Sequence, residues 1–253
     1  MSMGRMIVGA LAIVLLVSCG GGGARDGQAA GTRGRDGEPR SDSAASRASS
    51  DSAHTQHPTP YTHVVVFLGT SLTAGLGLDP DEAYPALIER RLERLRLPWQ
   101  AVNAGVSGET SAGALRRLDA VLQSPVAILV VETGANDGLR GLELDSTRAN
   151  LEAIVRRARA ARPGLRIVLA GMEVPPNLGP RYAAGFRALF PALAAREGLP
   201  LIPFLLQGVG GVDSLNQADG IHPNVAGARI VADNVWRVLE PLVTRDAAGP
   251  GAR

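Results

Sequence analysis

The sequence predicts an α/β fold in which five parallel strands form one sheet with helices packed on both of its faces. Three observations lead to this prediction. Segments of strand and helix character alternate five times in the chain after residue 60. The strand segments are continuous apolar runs, which are typical of strands buried on both faces. Glycine-rich or polar clusters follow the strands, at the sheet edge where parallel sheets bind their ligands.

The predicted strands are short apolar runs that end in glycine or polar turns. The third of them, Val126–Val131, is apolar throughout and is followed by Glu132, Thr133 and Gly134. The full set of predicted strands is Val64–Leu68, Trp99–Val102, Val126–Val131, Leu165–Ala170 and Leu199–Pro203.

The predicted helices show apolar residues at helical spacing between recognisable start and stop signals. The first, Asp79–Arg96, opens with acids and Pro80, and the third ends at Pro163 and Gly164. Two long loops are also predicted, at 171–179 and 208–219. The full set of predicted helices is Asp79–Arg96, Ala112–Leu122, Asp145–Ala161, Arg181–Glu197 and Asn224–Leu239.

The composition is that of a globular protein with a packed core, since 45% of the 253 residues are hydrophobic and 20% are charged. The formal net charge is +2, so no field of a single sign directs the protein to nucleic acid. Cys19 is the single cysteine, which excludes an intrachain disulfide and thiol-rich zinc sites. His222 is the one histidine beyond the first strand, so we expect no histidine-rich metal site in the body of the protein.

The first 62 residues are predicted to be a targeting segment and a tether. Residues 1–18 hold one Arg and then the apolar run Met6–Val17, which is too short to span a bilayer comfortably and fits a secretory signal. Residues 19–62 are rich in Gly, Ser, Ala, Arg and Asp, which predicts disorder. One globular domain at 63–243 and a flexible tail at 244–253 follow.

The junction before Cys19 resembles a bacterial lipoprotein signal, because small residues precede a cysteine directly after the apolar run. The alternative is an ordinary signal peptide with an incidental cysteine. The resemblance implies cleavage before Cys19, a lipid on that residue, and attachment of a periplasm-facing lipoprotein to a membrane of the bacterial cell envelope.

Ser71 is the candidate nucleophile. It lies in the turn Gly69–Gly75 after the first strand, with glycines close on both sides that let backbone or a ligand approach closely. A serine exposed where a strand ends is well placed for nucleophilic attack. The alternative is a β–α turn in which the serine caps the following helix.

His222 is the candidate base, by elimination among the histidines. Asp219 lies three residues earlier, and at that spacing in a turn its carboxylate can reach Nδ1 of the same imidazole and fix the tautomer. The alternatives are a surface histidine before Pro223 and an acid that merely caps a turn.

Three groups are candidate donors to an oxyanion: the backbone amides of Ser71 and Gly105 and the side-chain amide of Asn136. Each also has a simpler interpretation, because Gly105 can be a turn glycine and Asn136 a turn residue in a left-handed conformation.

Four segments together resemble the four conserved blocks of the SGNH, or GDSL-type, hydrolases, in the order and at spacings compatible with that family. The third segment is most similar to the periplasmic acyl-CoA thioesterase/lysophospholipase and arylesterase branch. The segments are Gly69–Gly75, Asn103–Ser111, Gly134–Gly141 and Asp219–Pro223.

This resemblance implies a three-layer, flavodoxin-like α/β/α sandwich and a serine esterase that hydrolyses carboxylic esters, thioesters or lysophospholipids without a cofactor. It implies Ser71 as nucleophile, His222 as base and Asp219 as the acid that orients the base. Gly105 and Asn136 would complete the oxyanion hole with the Ser71 amide. It also implies that the 171–179 loop lies beside the acyl chain.

Thr70 departs from the family pattern, which usually has Asp before the nucleophile. Thr73 stands where a Gly-x-Ser-x-Gly nucleophile elbow has its second glycine, so an ordinary α/β-hydrolase is disfavoured. Two further hypotheses stay open: a carbohydrate O-acetyl esterase with the same site, and a lipid-anchored binding module whose site is silent because of Thr70.

Overall fold

The computed structural model describes residues 61–247, which form a single five-stranded sheet with helices on both faces. All strands are parallel and their order is β2-β1-β3-β4-β5, so the predicted five-stranded parallel α/β fold is confirmed. The predicted signal peptide, residues 19–60 of the predicted tether and the end of the predicted tail lie outside the described residues. The strands are β1 His63–Gly69, β2 Trp99–Gly105, β3 Val126–Val131, β4 Arg166–Ala170 and β5 Leu201–Ile202.

Seven α-helices connect and follow these strands in the described part of the chain. They are α1 Ser71–Ala74, α2 Tyr84–Arg94, α3 Ser111–Val121, α4 Ala135–Leu139, α5 Leu144–Ala161, α6 Pro180–Glu197 and α7 Val225–Ala247. Short 3₁₀ helices at Pro176–Leu178 and Asp213–Leu215 interrupt the two long loops that the sequence predicts. None of the helices between residues 61 and 247 combines the length and apolar character needed to cross a bilayer.

The strands form the middle of three layers. Successive side chains of a strand point to opposite faces of a sheet, and Ile128, Leu129, Val130 and Val131 of β3 are all fully buried, so both faces of the sheet are covered. Helices α2 and α7 pack on each other, and α3 packs on α5. The continuous apolar runs that predicted doubly covered strands therefore form the core.

Helix α2 begins at Tyr84, five residues later than the predicted start at Asp79. Pro85 explains the difference, because proline lacks the N–H that a helix interior requires and is tolerated only in the first turn. The acids before it form a separate turn in which the Glu82 amide donates to the Asp79 carbonyl at 2.9 Å.

Helix α7 runs to Ala247, so residues 244–247 are helical although they lie beyond the predicted domain boundary at 243. The helix continues through Pro241, where the sequence suggested an earlier end.

The strand order places the candidate site. From β1 the chain goes to β2 on one side of it and then returns to β3 on its other side. The loops after β1 and β3 therefore diverge, which leaves the crevice where sheets of this kind bind ligands. Ser71 is the second residue after β1, so it lies at this crevice.

Candidate active site

Ser71 is the first residue of the one-turn helix α1. The turn closes when the Gly75 amide donates to the Ser71 carbonyl at 3.0 Å, and Gly75 has a positive φ of 76° that residues with a side chain rarely adopt. Because Ser71 is the first helical residue, its own N–H has no partner inside the helix and is available to a ligand. The Ser71 side chain is 9% exposed at this position.

A tight turn before α7 presents His222. Gly220 supplies the left-handed backbone with φ of 70°, and Oδ1 of Asp219 accepts hydrogen bonds from the backbone amides of Ile221 at 2.9 Å and His222 at 3.0 Å. The backbone amide of Gln217 donates a hydrogen bond to the His222 carbonyl at 2.7 Å. Short-range bonds therefore fix the backbone of both candidate residues.

The structure brings Ser71, His222 and Asp219 together in one line of hydrogen bonds. Nε2 of His222 is 2.8 Å from Oγ of Ser71, and Nδ1 of His222 is 2.6 Å from Oδ2 of Asp219. An ionised carboxylate only accepts hydrogen bonds, so the proton is assigned to Nδ1. Nε2 then accepts from the Ser71 hydroxyl, which is the arrangement that a general base requires.

The electrostatics of Asp219 favour its ionised form. The backbone amides of His222 and Ile221, followed by the His222 ring, lower the pKa of Asp219 to about 2. The carboxylate is therefore charged across the neutral range and can stabilise an imidazolium. Its side chain is about half exposed, so solvent screens this interaction in part.

Gln217 connects the two segments that carry the serine and the histidine. Its Nε2 donates to the carbonyls of Leu76, just after α1, at 2.7 Å and of Pro223 at 3.0 Å. Asn224 then caps α7, since its Oδ1 accepts from the amides of Ala226 and Gly227. The position of His222 relative to Ser71 thus depends on an amide side chain that sequence analysis did not single out.

Gly105 ends β2 directly against the turn Gly69–Gly75 that carries the candidate nucleophile Ser71, called the nucleophile turn below. A Cβ atom at this position would lie 2.2 Å from the Ala74 nitrogen and 2.8 Å from the Thr70 carbonyl oxygen, so a glycine is needed for this contact. The Gly105 N–H, a predicted oxyanion donor, donates to Oδ1 of Asn103 at 2.9 Å. Nδ2 of Asn103 donates to the Thr73 carbonyl at 2.8 Å, which joins β2 to α1.

Asn136 lies in the short helix α4 after β3, and its Nδ2 donates to the Glu109 carbonyl at 3.0 Å. This bond uses one of the two amide protons, which leaves the other for a ligand. The next residue, Asp137, is buried and accepts from the amide of Ser111 at 2.8 Å and its hydroxyl at 2.5 Å. The loops after β2 and β3 are therefore held together. The oxyanion roles of Gly105 and Asn136 stay predictions.

Glu132 is the main residue near the site that sequence analysis did not assign. It is fully buried behind the nucleophile turn, where it accepts from the backbone amide of Thr70 and from the hydroxyls of Thr70 and Thr73. Burial raises the pKa of Glu132 to about 7, although these hydrogen bonds lower it in part. An acid directly after a wholly apolar strand was the signal that could have revealed it.

A narrow apolar pocket adjoins both Ser71 and His222 between α1 and α7. Its walls are mostly aliphatic and include Leu76, Leu206 and Val231. Its volume of about 10 Å³ is room for about one water molecule, so it gives the serine an apolar wall and is not an acyl-chain pocket in this conformation.

Comparisons with known proteins identify the family. Residues 67–230 match the model of the GDSL-like Lipase/Acylhydrolase family. Esterase TesA of Pseudomonas aeruginosa is 44% identical over 75% of this chain and 92% of its own. Thioesterase 1/protease 1/lysophospholipase L1 of Escherichia coli is 37% identical over 72% of this chain and 86% of its own.

The structural comparison agrees. The crystal structure of the psychrotrophic esterase EstA from Pseudoalteromonas sp., inhibited by monoethylphosphonate, has a TM-score of 0.68 and 33% identity, covering 72% of this chain and 99% of that chain. The chain described here therefore belongs to the GDSL-like lipase/acylhydrolase family, and it is an ester hydrolase.

Proposed function

We propose that this protein is a serine esterase that cleaves carboxylic esters and thioesters through an acyl-enzyme on Ser71. The observation that carries the proposal is the line of hydrogen bonds from Ser71 Oγ to His222 Nε2 at 2.8 Å and from His222 Nδ1 to Asp219 Oδ2 at 2.6 Å.

In the first half of the reaction, His222 Nε2 takes the proton of Ser71 Oγ while that oxygen attacks the carbonyl carbon of the substrate. Asp219 holds the imidazole in the required tautomer and stabilises the imidazolium that forms. When the tetrahedral intermediate collapses, the bond to the leaving oxygen or sulfur breaks, and Nε2–H donates its proton to that atom. Water then attacks the acyl-enzyme by the same route and releases the acid.

Negative charge develops on the carbonyl oxygen during both halves. We assign its donors as the N–H of Ser71, which has no partner within α1, the second Nδ2 proton of Asn136 and the N–H of Gly105. In the free protein the Gly105 N–H donates to Asn103 Oδ1. An oxyanion competes for this proton, since it is a stronger acceptor than a neutral amide oxygen.

The substrate class follows from the relatives and from the pocket. The relatives bear the names esterase, thioesterase and lysophospholipase, and the wall beside Ser71 and His222 is aliphatic. We therefore propose small esters and thioesters with an apolar acyl or alcohol part, including lysophospholipids, as substrates.

The silent-site hypothesis receives no support from the position of Thr70. Its hydroxyl donates to Glu132 and not to the serine or the histidine, so the replacement of the usual Asp leaves the Ser71–His222–Asp219 line intact.

We also propose that the protein is a lipoprotein of the bacterial cell envelope, anchored through Cys19 and facing the periplasm. The support is the position of Cys19 directly after an apolar run of signal-peptide length. Metabolic labelling with a radioactive fatty acid in a bacterial host should mark the wild-type chain and leave Cys19→Ser unmarked. Equal labelling of both would contradict the proposal.

The experiment that tests the esterase combines labelling with turnover. A fluorophosphonate probe should label the wild type and Ser124→Ala, which changes an exposed serine outside the site, but not Ser71→Ala. p-Nitrophenyl esters with acyl chains of increasing length should be hydrolysed only by the proteins that label. Persistent labelling of Ser71→Ala would refute the assignment. Turnover of acetylated sugars alone would favour the carbohydrate O-acetyl esterase.

A further inference from the structure

Glu132 is a buried carboxylate that lies against both ends of the nucleophile turn. It follows β3 directly, is 0% exposed, and its backbone amide donates to the Leu68 carbonyl of β1 at 2.8 Å. Its Oε2 accepts hydrogen bonds from the Thr70 backbone amide at 2.7 Å and from the Thr73 hydroxyl at 2.8 Å. Its Oε1 accepts a hydrogen bond from the Thr70 hydroxyl at 3.0 Å. These threonines lie one residue before and two residues after Ser71.

The hydrogen-bond directions match the ionised form of this carboxylate. The Thr70 amide can only donate. The Tyr84 hydroxyl is 2.7 Å from Thr73 Oγ1, so Tyr84 can donate to Thr73 while Thr73 donates to Glu132. A protonated Glu132 would have to donate to an oxygen whose own proton now points at it. Protonation therefore requires at least one hydroxyl of the turn to reorient.

The surrounding backbone leaves room for the carboxylate. A Cβ atom at Gly69 would lie 1.9 Å from Thr73 Oγ1 and 2.7 Å from Glu132 Oε2. Burying a carboxylate costs free energy that an apolar side chain of similar size would not cost. The side-chain hydrogen bonds of Glu132 go to Thr70 and Thr73 of the turn around the serine, so a buried acid at this place points to a role in the reaction.

We propose that Glu132 is a positioning residue whose ionised carboxylate fixes the turn that presents Ser71. In this proposal Thr70 is a neutral donor to Glu132, so the network does not hold the second carboxylate that an Asp at position 70 would bring. The inference rests on the proposed function of Ser71 as the nucleophile. Glu132 acts through Thr70 and Thr73 and does not itself touch the substrate.

A consequence is a pH dependence at the nucleophile turn. Burial raises the pKa of Glu132 to about 7, so the carboxylate takes up a proton as the pH falls through neutrality. The other titratable or charged groups on the surrounding elements are Tyr84 on α2, Arg117 on α3, which donates to the Gly69 carbonyl at 3.1 Å, and Glu109, which pairs with Arg117. kcat should therefore fall on the acid side as Glu132 takes up its proton, and this part of the acid limb should be missing from a variant that lacks the carboxylate.

Thr70→Asp tests the second half of the proposal. This substitution would place a carboxylate where the Thr70 hydroxyl now contacts Glu132, and two carboxylates at this distance share one proton. The acid limb of the pH profile should move to higher pH by about one unit or more. Thr70→Ser keeps a neutral donor and should retain the wild-type profile.

The experiment measures kcat and KM for a p-nitrophenyl ester from pH 5.5 to 9 with the full-length protein. Glu132→Gln should lower kcat by about 100-fold, because a misplaced turn moves Ser71 out of line with His222, and KM should change much less than kcat. The part of the acid limb near pH 7 that belongs to Glu132 should be missing from this variant. Glu89→Gln, which changes a half-buried acid that accepts the Ala101 amide away from Ser71, is the matched control and should behave as wild type.

Near-UV circular dichroism identifies the pH range in which each variant is folded. If Glu132→Gln does not fold, the Thr70→Asp and Thr70→Ser profiles decide the question. A folded Glu132→Gln with the wild-type kcat or the wild-type acid limb would overturn the proposal, as would an unshifted Thr70→Asp profile. If the fluorophosphonate probe fails to label Ser71→Ala, these outcomes reject only the positioning role of Glu132. If the probe does label Ser71→Ala, the proposed function of Ser71 as the nucleophile is rejected as well.

Discussion

Nε2 of His222 lies 2.8 Å from Oγ of Ser71, although 151 residues separate them in the chain. Ser71 is fixed by the end of β1 and the start of α1, while His222 is fixed by the turn before the cap of α7. The contact therefore depends on how α7 packs beside the nucleophile turn. Substitutions in either segment should change the activity that depends on this contact.

Replacing Asp219 tests the orientation of His222. In Asp219→Asn, Oδ1 can stay on the backbone amides of Ile221 and His222, which turns the donor Nδ2 toward His222 Nδ1. This favours the wrong tautomer, and kcat/KM should fall by roughly 10³- to 10⁴-fold. The pKa of Asp219 is lowered to about 2, so this acid is ionised throughout the neutral range and does not cause the acid limb of the wild-type profile. Steady-state kinetics with p-nitrophenyl esters provide the measurement. Asp213→Asn, an exposed acid of the same loop, should keep full activity, and equal losses in both variants would contradict the role of Asp219.

Replacing Asn136 tests the oxyanion donors. Asn136→Ala removes a donor that acts on charge formed only in the transition state, so kcat should fall by about 10²- to 10³-fold while KM stays nearly constant. The variant also loses the bond to the Glu109 carbonyl. Gln123→Ala, at an exposed amide, serves as control. A rise in KM without a loss in kcat would show that Asn136 binds the ground state instead.

Gly105→Ala tests the close approach of β2 and α1. The added Cβ meets the Ala74 nitrogen and the Thr70 carbonyl, both backbone atoms, so the strand end must shift. We expect a loss of about 1–3 kcal/mol in the free energy of unfolding, together with reduced activity. Urea denaturation gives the stability. Gly210→Ala, whose Cβ would make only ordinary contacts with Phe204, should cost far less.

Trp99 allows stability to be separated from activity. It lies at the start of β2, fully buried, where its Nε1 donates to the Val243 carbonyl of α7 at 3.1 Å and its ring lies 5.4 Å from the Arg166 guanidinium. Trp99→Phe should lower the free energy of unfolding by about 1–3 kcal/mol. Trp99 lies where β2 begins, whereas Ser71 lies beyond the opposite, carboxyl ends of the parallel strands. kcat/KM of the folded variant should therefore remain at the wild-type value. A selective loss of kcat would contradict this separation.

Glu132 should also make stability depend on pH in a defined direction. Its pKa is about 7 in the folded protein, against 4.5 as the ordinary value, so the folded state holds more protons between these pH values. The free energy of unfolding contributed by this group therefore falls as the pH rises from 4.5 to 7, by at most about 3 kcal/mol. Urea denaturation of wild type and Glu132→Gln at several pH values should show this difference, and parallel curves would contradict it.

The sheet could be predicted from the sequence because its signal is local. The run Val126–Val131 is apolar at every position and is observed as β3 with the predicted bounds. The start of α2 could not be predicted as easily, since Asp79 and Pro80 carry the usual start signals but Pro85 decides the helix. Competition between two plausible starts is resolved by backbone hydrogen bonding, which is not apparent from residue preferences alone.

The candidate site likewise contains residues that could be predicted from the sequence and hydrogen bonds that could not. Ser71, His222 and Asp219 could be proposed because each stands in a turn with its own local pattern, and His222 is nearly forced by elimination. The bonds of Gly105 to Asn103 and of Gln217 to the Leu76 carbonyl were not predicted, because amide side chains are common in turns and their partners depend on packing.

The sequence by itself determined the succession of the five strands and five main helices along the chain, the residue types that follow the strands and the family to which the chain belongs. Only the tertiary structure decided that Thr70 contacts Glu132 rather than the serine, and that Glu132 is buried with three donors around it. The physical reason is that periodicity and turn chemistry arise from neighbours in the chain, whereas the burial of a charge and its partners arise from segments that meet only when the fold closes.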